Sequence, residues 1–523
     1  MRTLGTSFFI MVLGLSIAAQ SRFIWIGFKD KPFMETALQQ PEKWLTKPAL
    51  ERRDRQKIAV SITDIPVNEG YLKQFDCKKG FKIKTVSKWL NGLVLEVSDA
   101  GRMLWIRDSL LALPHILEVL DIPAKFLHLA HLSFQTQSSG NSRAQLRQLG
   151  VHCLHEHNFR GQNMRIAVMD VGFIGVLQNA VFDSLLLEKR LKGTYNFVSG
   201  ETNVFKGGSH GTMVLSCLAG NLPETVLGTA PKAQYWLFNT EDGASETLLE
   251  EYHWIRAAEY ADSVGVDIIT TSLGYTEFDD PQQNHRYADL NGRTAPMSRA
   301  ATMAARKGIL VINAAGNEGN GPWKYISVPA DADSIIAVGA VDTTGKAATF
   351  SGYGPSSDGR IKPDLAACGW GTWICDGTSN CFYGNGTSFA APLLAGAAAC
   401  YWQQHPFLNN MQLKASIQSR ANSFNAPNNR TGWGVPNLCM PVLDLDFSLS
   451  WLADSKTVRI RLEETYYSQL HLKIYNAQGQ TLFDNSLNTG LWMHDLTFIR
   501  ASGLYIFEIA SNRGTLSKKL IVP

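Results

Sequence analysis

Between Phe159 and Leu438, short strand-like apolar runs alternate with helical runs. This alternation predicts an α/β fold in which a mostly parallel sheet is covered by helices on both faces. In sheets of that kind, reactive groups gather at the carboxyl ends of the strands. The runs, in chain order, are MRIAVMD, HGTMVLSCLAG, AQYWLFN, TLLEEYHWIRAAEYADSV, VDIITTSL, SRAATMAARKGI, LVINAAG and IIAVGAV.

The sequence before this region has a different texture. From Phe23 to about Phe134 it mixes β-like and helical runs, which predicts a small α+β domain without a catalytic constellation. Within it, the charged run from Glu51 to Lys57 is interpreted as a solvated helix face. The segment RMLWIRDSLLALPHI is interpreted as an amphipathic helix.

The sequence after this region reads as all β. From about Val442 onward, apolar and polar residues alternate roughly in period two, and Gly479 and Gly514 mark hairpin turns. The pattern predicts a sandwich-like β domain at the C-terminus.

The N-terminus, MRTLGTSFFIMVLGLSIAAQS, has the pattern of a secretory signal peptide: a basic residue, an apolar run and then small residues. The apolar run from Phe8 to Ile17 is shorter than the roughly 20 residues that span a bilayer. We expect cleavage between Ala18 and Gln20, which leaves a mature chain without a transmembrane segment.

The net charge limits the classes of binding partner, and the cysteines indicate whether disulfides and metal sites are expected. A formal net charge of +3 over 523 residues provides no basic stripe or acidic tail, so neither nucleic acid nor an electrostatically held membrane is expected as a partner. Eight cysteines in an exported chain permit disulfides, whose pairing stays open. Cys217 and Cys400 lie in small-residue helical stretches and are expected to be buried free thiols. No Cys or His spacing typical of a zinc site is present.

An acidic residue ends one predicted strand, and a histidine begins one predicted helix. Asp170 ends the apolar strand RIAVMD, where a carboxylate is costly unless a basic group or an N–H meets it. His210 opens the helix HGTMVLSCLAG, and a cationic imidazole at a helix N-terminus needs a nearby anion. Asp170 is a candidate for that anion. The plainer alternatives are a turn or capping role for Asp170 and a structural role for His210.

An asparagine follows another predicted strand, and a serine lies at the start of another predicted helix. Asn317 follows the strand LVINAAG in a Gly-rich turn, where it is either a turn residue or a hydrogen-bond donor to a developing oxyanion. Ser388 lies in GNGTSFAAP at the start of an apolar, small-residue helix. It is either a helix cap or a nucleophile activated by His210, with its own N–H as a second oxyanion donor.

Together, the stretches AVMDVGF, HGTMVLSCLAG, SLGY, NAAGNEG and GNGTSFAAP resemble the subtilisin-like serine peptidases, whose chain order is Asp, His, Ser. The resemblance implies that Ser388 is the nucleophile, His210 the general base, Asp170 its orienting carboxylate and Asn317 the oxyanion donor. One departure is Val171, where the family more often has Thr or Ser beside the carboxylate. The substrate cleft would be lined by two short segments: Ser272, Leu273 and Gly274, and Ala314, Ala315 and Gly316.

The flanking regions resemble known companions of this family. Residues 23 to about 134 are similar to an inhibitory, folding-assisting propeptide, and the last eighty or so residues resemble the sorting domain read by the type IX secretion machinery. The expected organisation is therefore a signal peptide, a propeptide-like domain, a catalytic domain and a sorting domain. Their expected ranges are 1–19, 20–137, 138–440 and 441–523.

These features predict a monomeric endopeptidase that acts on proteins or peptides. It would be exported through the periplasm of a Gram-negative bacterium and then secreted or held at the cell surface. Two alternatives stay open: a peptide transferase or cyclase on the same fold, and a non-catalytic surface binding protein on a peptidase scaffold.

The chemistry needs no cofactor. Leu273, Tyr275 and Ala314 predict an apolar to mixed primary pocket. The polar insert 278–296 carries several Asp and Asn residues, which raises structural calcium as a question, although the spacing favours a solvated loop near the cleft.

Overall fold

The computed structural model describes residues 22–76, 80–98, 103–122, 134–135, 141–439, 447–462, 470–487, 493–499, 501–511 and 514–523. The expected signal peptide, its cleavage site, Cys77 and the domain boundaries at 137/138 and 440/441 lie outside these residues. Within them, no helix is both long enough and apolar enough to cross a membrane.

The N-terminal domain is a four-stranded antiparallel sheet with helices on one face, in strand order β2-β3-β1-β4. One sheet face packs with α3 and α4 on a core that contains Ile24, Leu95 and Ile106. The strands are β1 (Arg22–Phe28), β2 (Phe81–Ser87), β3 (Gly92–Val97) and β4 (Ile116–Ile122). The helices are α1 (Met34–Leu38), α2 (Lys47–Arg55), α3 (Glu69–Asp76) and α4 (Met103–Leu111).

Two predictions for this domain are corrected. The helix expected over RMLWIRDSLLALPHI ends at Leu111, because Pro114 follows shortly and the chain then enters β4. The charged run from Glu51 to Lys57 is only partly solvated. Arg52 and Arg53 are buried in it, and we refer below to residues 46–64, which contain α2, as the strap.

The middle domain is built on a seven-stranded sheet, in order β14-β13-β12-β11-β6-β10-β7, whose neighbouring strands are all parallel. This confirms the predicted fold class. The sheet strands are β6 (Arg165–Asp170), β7 (Leu191–Asn196), β10 (Gln234–Asn239), β11 (Ile268–Thr271), β12 (Leu310–Ala314), β13 (Ile336–Val341) and β14 (Leu365–Cys368). Shorter strands around it are β5 (Phe134–Gln135), β8 (Asn221–Leu222), β9 (Val226–Leu227), β15 (Trp370–Cys375) and β16 (Cys381–Asn385).

Helices cover both faces of this sheet. One apolar core lies under α8 and α11, and a second lies under α9 and α10. The long helix α9 begins at a capping box of Thr247 and Glu250 and ends at Gly265, whose φ of 86° is left-handed. The helices are α5 (Arg143–Gln148), α6 (Val151–Glu156), α7 (Asp183–Leu187), α8 (His210–Ala219), α9 (Leu248–Val264), α10 (Pro296–Arg306), α11 (Thr387–Gln404) and α12 (Asn410–Ser419).

The C-terminal domain consists of two antiparallel sheets, in orders β17-β18-β21 and β20-β19-β22-β23. The two sheets share a small apolar core that includes Val458, Ile474 and Phe507. The predicted turn at Gly479 joins β19 to β20. The strands are β17 (Phe447–Leu452), β18 (Thr457–Leu462), β19 (Leu470–Asn476), β20 (Thr481–Leu487), β21 (Met493–Leu496), β22 (Gly503–Ser511) and β23 (Gly514–Val522).

The cysteines of the described residues divide into two disulfides and three free thiols. Cys153 pairs with Cys439 across 286 residues, and Cys375 pairs with Cys381 at the hairpin between β15 and β16. The free thiols are Cys217, Cys368 and Cys400, all of them buried, which confirms the prediction for Cys217 and Cys400.

Candidate active site

Asp170 is the last residue of β6 and is fully buried. Its Oδ1 accepts hydrogen bonds from the N–H of Val171 at 2.9 Å and from Nδ1 of His210 at 2.8 Å. Its Oδ2 has no hydrogen-bond partner among the described residues. Valine at 171 provides no hydroxyl for that oxygen, so the departure from the family pattern noted in the sequence coincides with an unpaired carboxylate atom.

His210 is the first residue of α8, and its side chain is 14% exposed. Burial alone would lower the pKa of His210, but the charge and hydrogen bond of Asp170 raise it above the usual value of a histidine. Gly211 permits this approach, because a Cβ at that position would lie 2.5 Å from the carbonyl of Gly172 and 3.0 Å from the Cβ of Asp170. The pair therefore has the geometry of a base and its orienting carboxylate.

Ser388 is the second residue of α11, after the capping position of Gly386, and is 7% exposed. Its N-terminal location places it in the positive end of the helix dipole, which suits a group that develops negative charge. The Ser388 hydroxyl donates to the carbonyl of Ser272 at 3.3 Å, and the Ser272 hydroxyl donates back to the carbonyl of Ser388 at 2.7 Å.

In the part of the chain that the structure describes, His210 and Ser388 are not hydrogen-bonded to each other, and their partners are Asp170 and Ser272. The His210 ring lies 5.9 Å, between centroids, from the ring of Phe389, the residue after Ser388. A serine hydroxyl changes partner by rotation about one bond, and catalytic hydrogen bonds are often unformed before substrate binds. The arrangement brings together the acid, the base and the hydroxyl that the sequence predicted.

Asn317 follows β12 and has its amide fixed in one orientation. Its Oδ1 accepts from the backbone N–H of Thr387 at 2.9 Å and from the Thr387 hydroxyl at 3.0 Å. Since a backbone N–H only donates, the oxygen must face Thr387 and the NH₂ group must face away. No described residue accepts from that NH₂ group, so it is available to an oxyanion.

Thr387 is a site residue that the sequence reasoning missed. Besides its contacts with Asn317, its hydroxyl oxygen accepts from the N–H of Gly316 at 3.2 Å. It thereby joins the turn after β12 to the start of α11. The signal was a second hydroxyl residue directly before Ser388 in the motif GNGTSFAAP.

The two predicted cleft segments follow adjacent parallel strands, because β11 ends at Thr271 and its neighbour β12 ends at Ala314. Ser327 packs between them. A Cβ at Gly274 would lie 2.0 Å from the Ser327 hydroxyl, and one at Gly316 would lie 2.9 Å from it. Close packing therefore requires glycine in both segments, and Gly274 itself is exposed to solvent.

Two residues expected at the cleft are turned away from solvent. Ala315 is fully buried, its N–H donates to Val338 and its carbonyl accepts from Ser327. Tyr275 is 1% exposed, and its hydroxyl donates to the buried carboxylate of Glu241. Tyr275 therefore lies beneath the cleft strand and does not line an open pocket.

The polar insert 278–296 uses its oxygens to build turns. Asp280 and Asp289 accept backbone N–H groups within the insert, as does Asn291. The insert is fastened to the domain by His285, whose Nε2 lies 2.6 Å from Oε1 of Glu251. Burial alone would lower the pKa of His285, but the Glu251 carboxylate raises it.

Among the described residues, one group of potential metal ligands is close enough to share an ion. It consists of His152, Cys153 and Cys439, whose ligand atoms lie within 4.8 Å of one another. The two sulfurs are bonded to each other as a disulfide. This group is not part of the site around Ser388.

A parallel sheet with a hydroxyl, an imidazole and a carboxylate near the carboxyl ends of its strands is the arrangement expected of a serine peptidase. A family model described as the subtilase family matches residues 161–434, more than half of the chain, and the chain belongs to that family. It is a serine peptidase.

Curated relatives share this region. The chain is 33% identical over 305 residues to subtilisin NAT of Bacillus subtilis subsp. natto. The aligned region covers 57% of this chain and 70% of that protein. It is 32% identical over 278 residues to a subtilisin of Bacillus pumilus, covering 52% and 89% of the two chains. The alkaline elastase YaB of a Bacillus strain is 30% identical over 271 residues, covering 51% and 61%.

The flanking domains also match family models. Residues 23–125 match the peptidase S8 propeptide domain of Bacteroidota, and residues 454–523 match the secretion system C-terminal sorting domain. Both resemblances expected from the sequence are confirmed. The type IX sorting domain indicates that the protein is exported or displayed at the cell surface.

Proposed function

We propose that this chain is an exported serine endopeptidase in which Asp170, His210 and Ser388 form the catalytic triad. The observation that carries the proposal is the buried Asp170–His210 hydrogen bond of 2.8 Å beside the first turn of α11. Asn317 supports it, because Thr387 holds the amide oxygen and no described residue accepts from the amide nitrogen. These four residues come from four separate segments of the chain, which meet at the carboxyl edge of the sheet.

The reaction begins when the Ser388 hydroxyl turns from the Ser272 carbonyl to His210. His210 accepts the proton while the oxygen attacks the scissile carbonyl, and Asp170 stabilises the resulting imidazolium. The tetrahedral oxyanion is bound by the NH₂ group of Asn317 and the backbone N–H of Ser388. His210 then donates the proton to the leaving amine, and water resolves the acyl-enzyme by the reverse sequence.

Protein or peptide substrates would bind in extended form. Ser272, Leu273 and Gly274 continue the direction of β11, and Gly274 is exposed, which suits pairing with a substrate strand along the cleft. A peptide that pairs along its length with this segment would be cut within its chain, which is the activity of an endopeptidase. Ala314 and Gly316 would form the facing wall.

The remaining assignments follow from the flanking domains and from the chemistry. The sorting domain implies recognition by the type IX machinery after passage through the periplasm of a Gram-negative bacterium. Acyl transfer needs no cofactor, and calcium would be structural. We propose that the enzyme acts as a monomer and has no nucleic-acid partner.

The decisive test compares full-length wild type with Ser388→Ala for peptide hydrolysis and for labelling by a fluorophosphonate probe. Ser388→Ala should abolish both, whereas Ser419→Ala, an exposed hydroxyl in α12, should leave both unchanged. Labelling that persists in Ser388→Ala would overturn the assignment. A protein that binds peptides without being labelled at all would instead be a binding protein on this scaffold.

Mass spectrometry of the products separates the two enzymatic possibilities. A peptidase releases two fragments whose masses sum to substrate plus water. A transferase or cyclase gives products joined to an added amine or closed on themselves, since an amine resolves the acyl-enzyme as water does.

A further inference from the structure

The strap contributes two arginines to a buried ion-pair network. Nη2 of Arg52 is bonded to Oδ1 of Asp262 in α9, and neither side chain is exposed. Arg53 donates to both oxygens of the same Asp262 at 2.8 Å and to Asp64 of the strap at 3.0 Å. Charges buried to this degree are stable only while they are paired.

The same segment satisfies the end of helix α9. Arg52 donates to the carbonyl of Val266 at 2.5 Å, and the N–H and hydroxyl of Thr46 both donate to the carbonyl of Ser263 at 2.9 Å. Carbonyls in the last turn of a helix have no partner within it and carry partial negative charge. The left-handed cap that ends α9 serves earlier carbonyls of the helix from within the middle domain, and the strap supplies donors to carbonyls that this cap does not reach.

A second helix end reaches the strap from the other side. Lys307, just after α10, donates to Asp64 at 2.6 Å and to the Thr63 hydroxyl at 2.8 Å. Burial alone would raise the pKa of Asp64, but Arg53 and Lys307 lower it well below its usual range. Gln56 adds neutral bonds, donating to Gly308 at 2.7 Å and accepting from the N–H of Asn410 at 3.0 Å.

This contact lies at the amino ends of the sheet strands, away from the candidate active site. Helices α9 and α10 each run back from the carboxyl edge before the next parallel strand begins, so their C-terminal ends mark the amino edge. Arg55 of the strap lies 5.9 Å from the ring of Trp402 near the end of α11, about 20 Å along that helix from Ser388. An attached strap leaves the cleft open.

The sheet of the propeptide domain makes a separate contact on the outer face of α9. Trp25 stacks on Tyr252 with ring centroids 5.0 Å apart, and Glu259 accepts bonds from the Ser87 hydroxyl and the N–H groups of Lys88 and Trp89. The propeptide domain is thus attached at two places, and among the described residues the buried ion pairs between the two domains are those of the strap.

We propose that the strap is a lasting anchor, which keeps the propeptide domain bound to the catalytic domain after the chain between them is cut. The inference rests on the proposed function only in supposing that such a cut occurs. Release must separate Arg52 and Arg53 from Asp262, and Asp64 from Lys307, at the same time. Breaking buried charge pairs mainly affects the dissociation rate. The mature enzyme is then a complex of two fragments.

The test uses the full chain with Ser388→Ala and a recognition sequence for an unrelated protease inserted between Ile122 and Asn141. The external protease makes the cut, so the result does not depend on whether Ser388 is the nucleophile. The cut protein is diluted and the release of a labelled N-terminal fragment is followed by native mass spectrometry or fluorescence. Arg52→Met is compared with Arg55→Met, whose pair with Asp267 at 3.0 Å is partly exposed, with 39% of the arginine accessible.

Arg52→Met should speed release by about 100-fold or more, and Arg55→Met by no more than about 3-fold. Should Arg52→Met fail to fold, Gln56→Ala removes two neutral bonds, leaves every charge paired and should speed release by about 10-fold. Equal release rates for wild type, Arg52→Met and Gln56→Ala would overturn the proposal. So would a larger effect of Ser87→Ala, because the anchor would then lie in the sheet contact.

Discussion

At the carboxyl edge of the seven-stranded sheet, the buried Asp170 has one oxygen that accepts two hydrogen bonds and one oxygen to which no described residue donates. At the amino edge, the equally buried Asp262 has both oxygens bonded to arginines. An unpaired buried acceptor costs about 1–3 kcal/mol. The carboxylate beside the reacting groups therefore carries this cost, whereas the carboxylate at the strap does not.

The two carboxylates also differ in whether their neighbouring groups change charge. Asp170 faces a single titratable imidazole, so its surroundings change charge when His210 accepts a proton. Asp262 faces Arg52 and Arg53, which stay cationic at any physiological pH. The carboxyl edge, where the charge of His210 changes during the reaction, is therefore the responsive edge. The amino edge, where Asp262 is paired with arginines at any physiological pH, is the saturated edge.

The sharpest test of this difference is the same substitution at both edges. Asp170→Asn should lower kcat by about 10⁴-fold, the size of loss measured in subtilisin and other serine peptidases, since the imidazole loses its orienting anion. Asp262→Asn should change kcat by less than about 2-fold. Turnover of a chromogenic peptide, corrected by active-site titration, measures both, and similar losses for the two variants would contradict the division of roles.

Removing a cation from the saturated edge should destabilise the fold. Arg52→Met leaves Asp262 with only Arg53 and should lower the free energy of unfolding by about 3–5 kcal/mol. Arg55→Met should lower it by about 1 kcal/mol or less, because its ion pair is partly solvated. Urea denaturation of the full chain with Ser388→Ala measures both. A loss below 1 kcal/mol for Arg52→Met would show that the network contributes little.

Asn317→Ala tests the responsive edge without touching its charges. It should lower kcat by about 10²- to 10³-fold and leave KM nearly unchanged, a magnitude known from subtilisin itself. Thr387→Val keeps the N–H that fixes Asn317 but removes the hydroxyl, and should cost about 10-fold. Steady-state kinetics of both variants suffice. Wild-type turnover in Asn317→Ala would exclude the oxyanion role.

The smallest effect is expected in the pH profile. His210 must be neutral to act as a base, and Asp170 raises its pKa, so kcat/KM should fall on the acid side with a midpoint above the usual 6.5 of histidine. In Asp170→Asn this midpoint should move to lower pH. The stability that the pair contributes has the matching sign, being complete at low pH and lost as pH rises through the raised pKa. An unchanged midpoint in Asp170→Asn would contradict the coupling.

Much of the middle domain was predictable because its signals are local. The alternation of apolar runs predicted β6, β10, β11 and β12, and the candidate residues lie where those strands end or the next helices begin. Strand ends of a parallel sheet converge in space, so Asp170, Asn317 and Ser388 needed no long-range information to be grouped. The order of Asp, His and Ser along the chain supplied the rest.

What the sequence did not predict depends on distant partners. Arg52 and Arg53 look like solvated charges until Asp262, more than 200 residues away, is known to face them. Tyr275 looks like a cleft residue until its bond to Glu241 shows that the ring is inside. The present direction of the Ser388 hydroxyl is a matter of one rotatable bond, which no pattern encodes.

The disulfide between Cys153 and Cys439 has a mechanical consequence. Cys439 is the last described residue before the sorting domain, and its partner lies in α6, near the start of the catalytic domain. Once that bond has formed, tension on the chain beyond Cys439 passes through it to α6. When the opposing pull acts on the chain before Cys153, the covalent path of that load bypasses the 285 residues between the two cysteines, which include the whole parallel sheet. The catalytic domain can therefore be pulled by its tail without its strands being drawn apart.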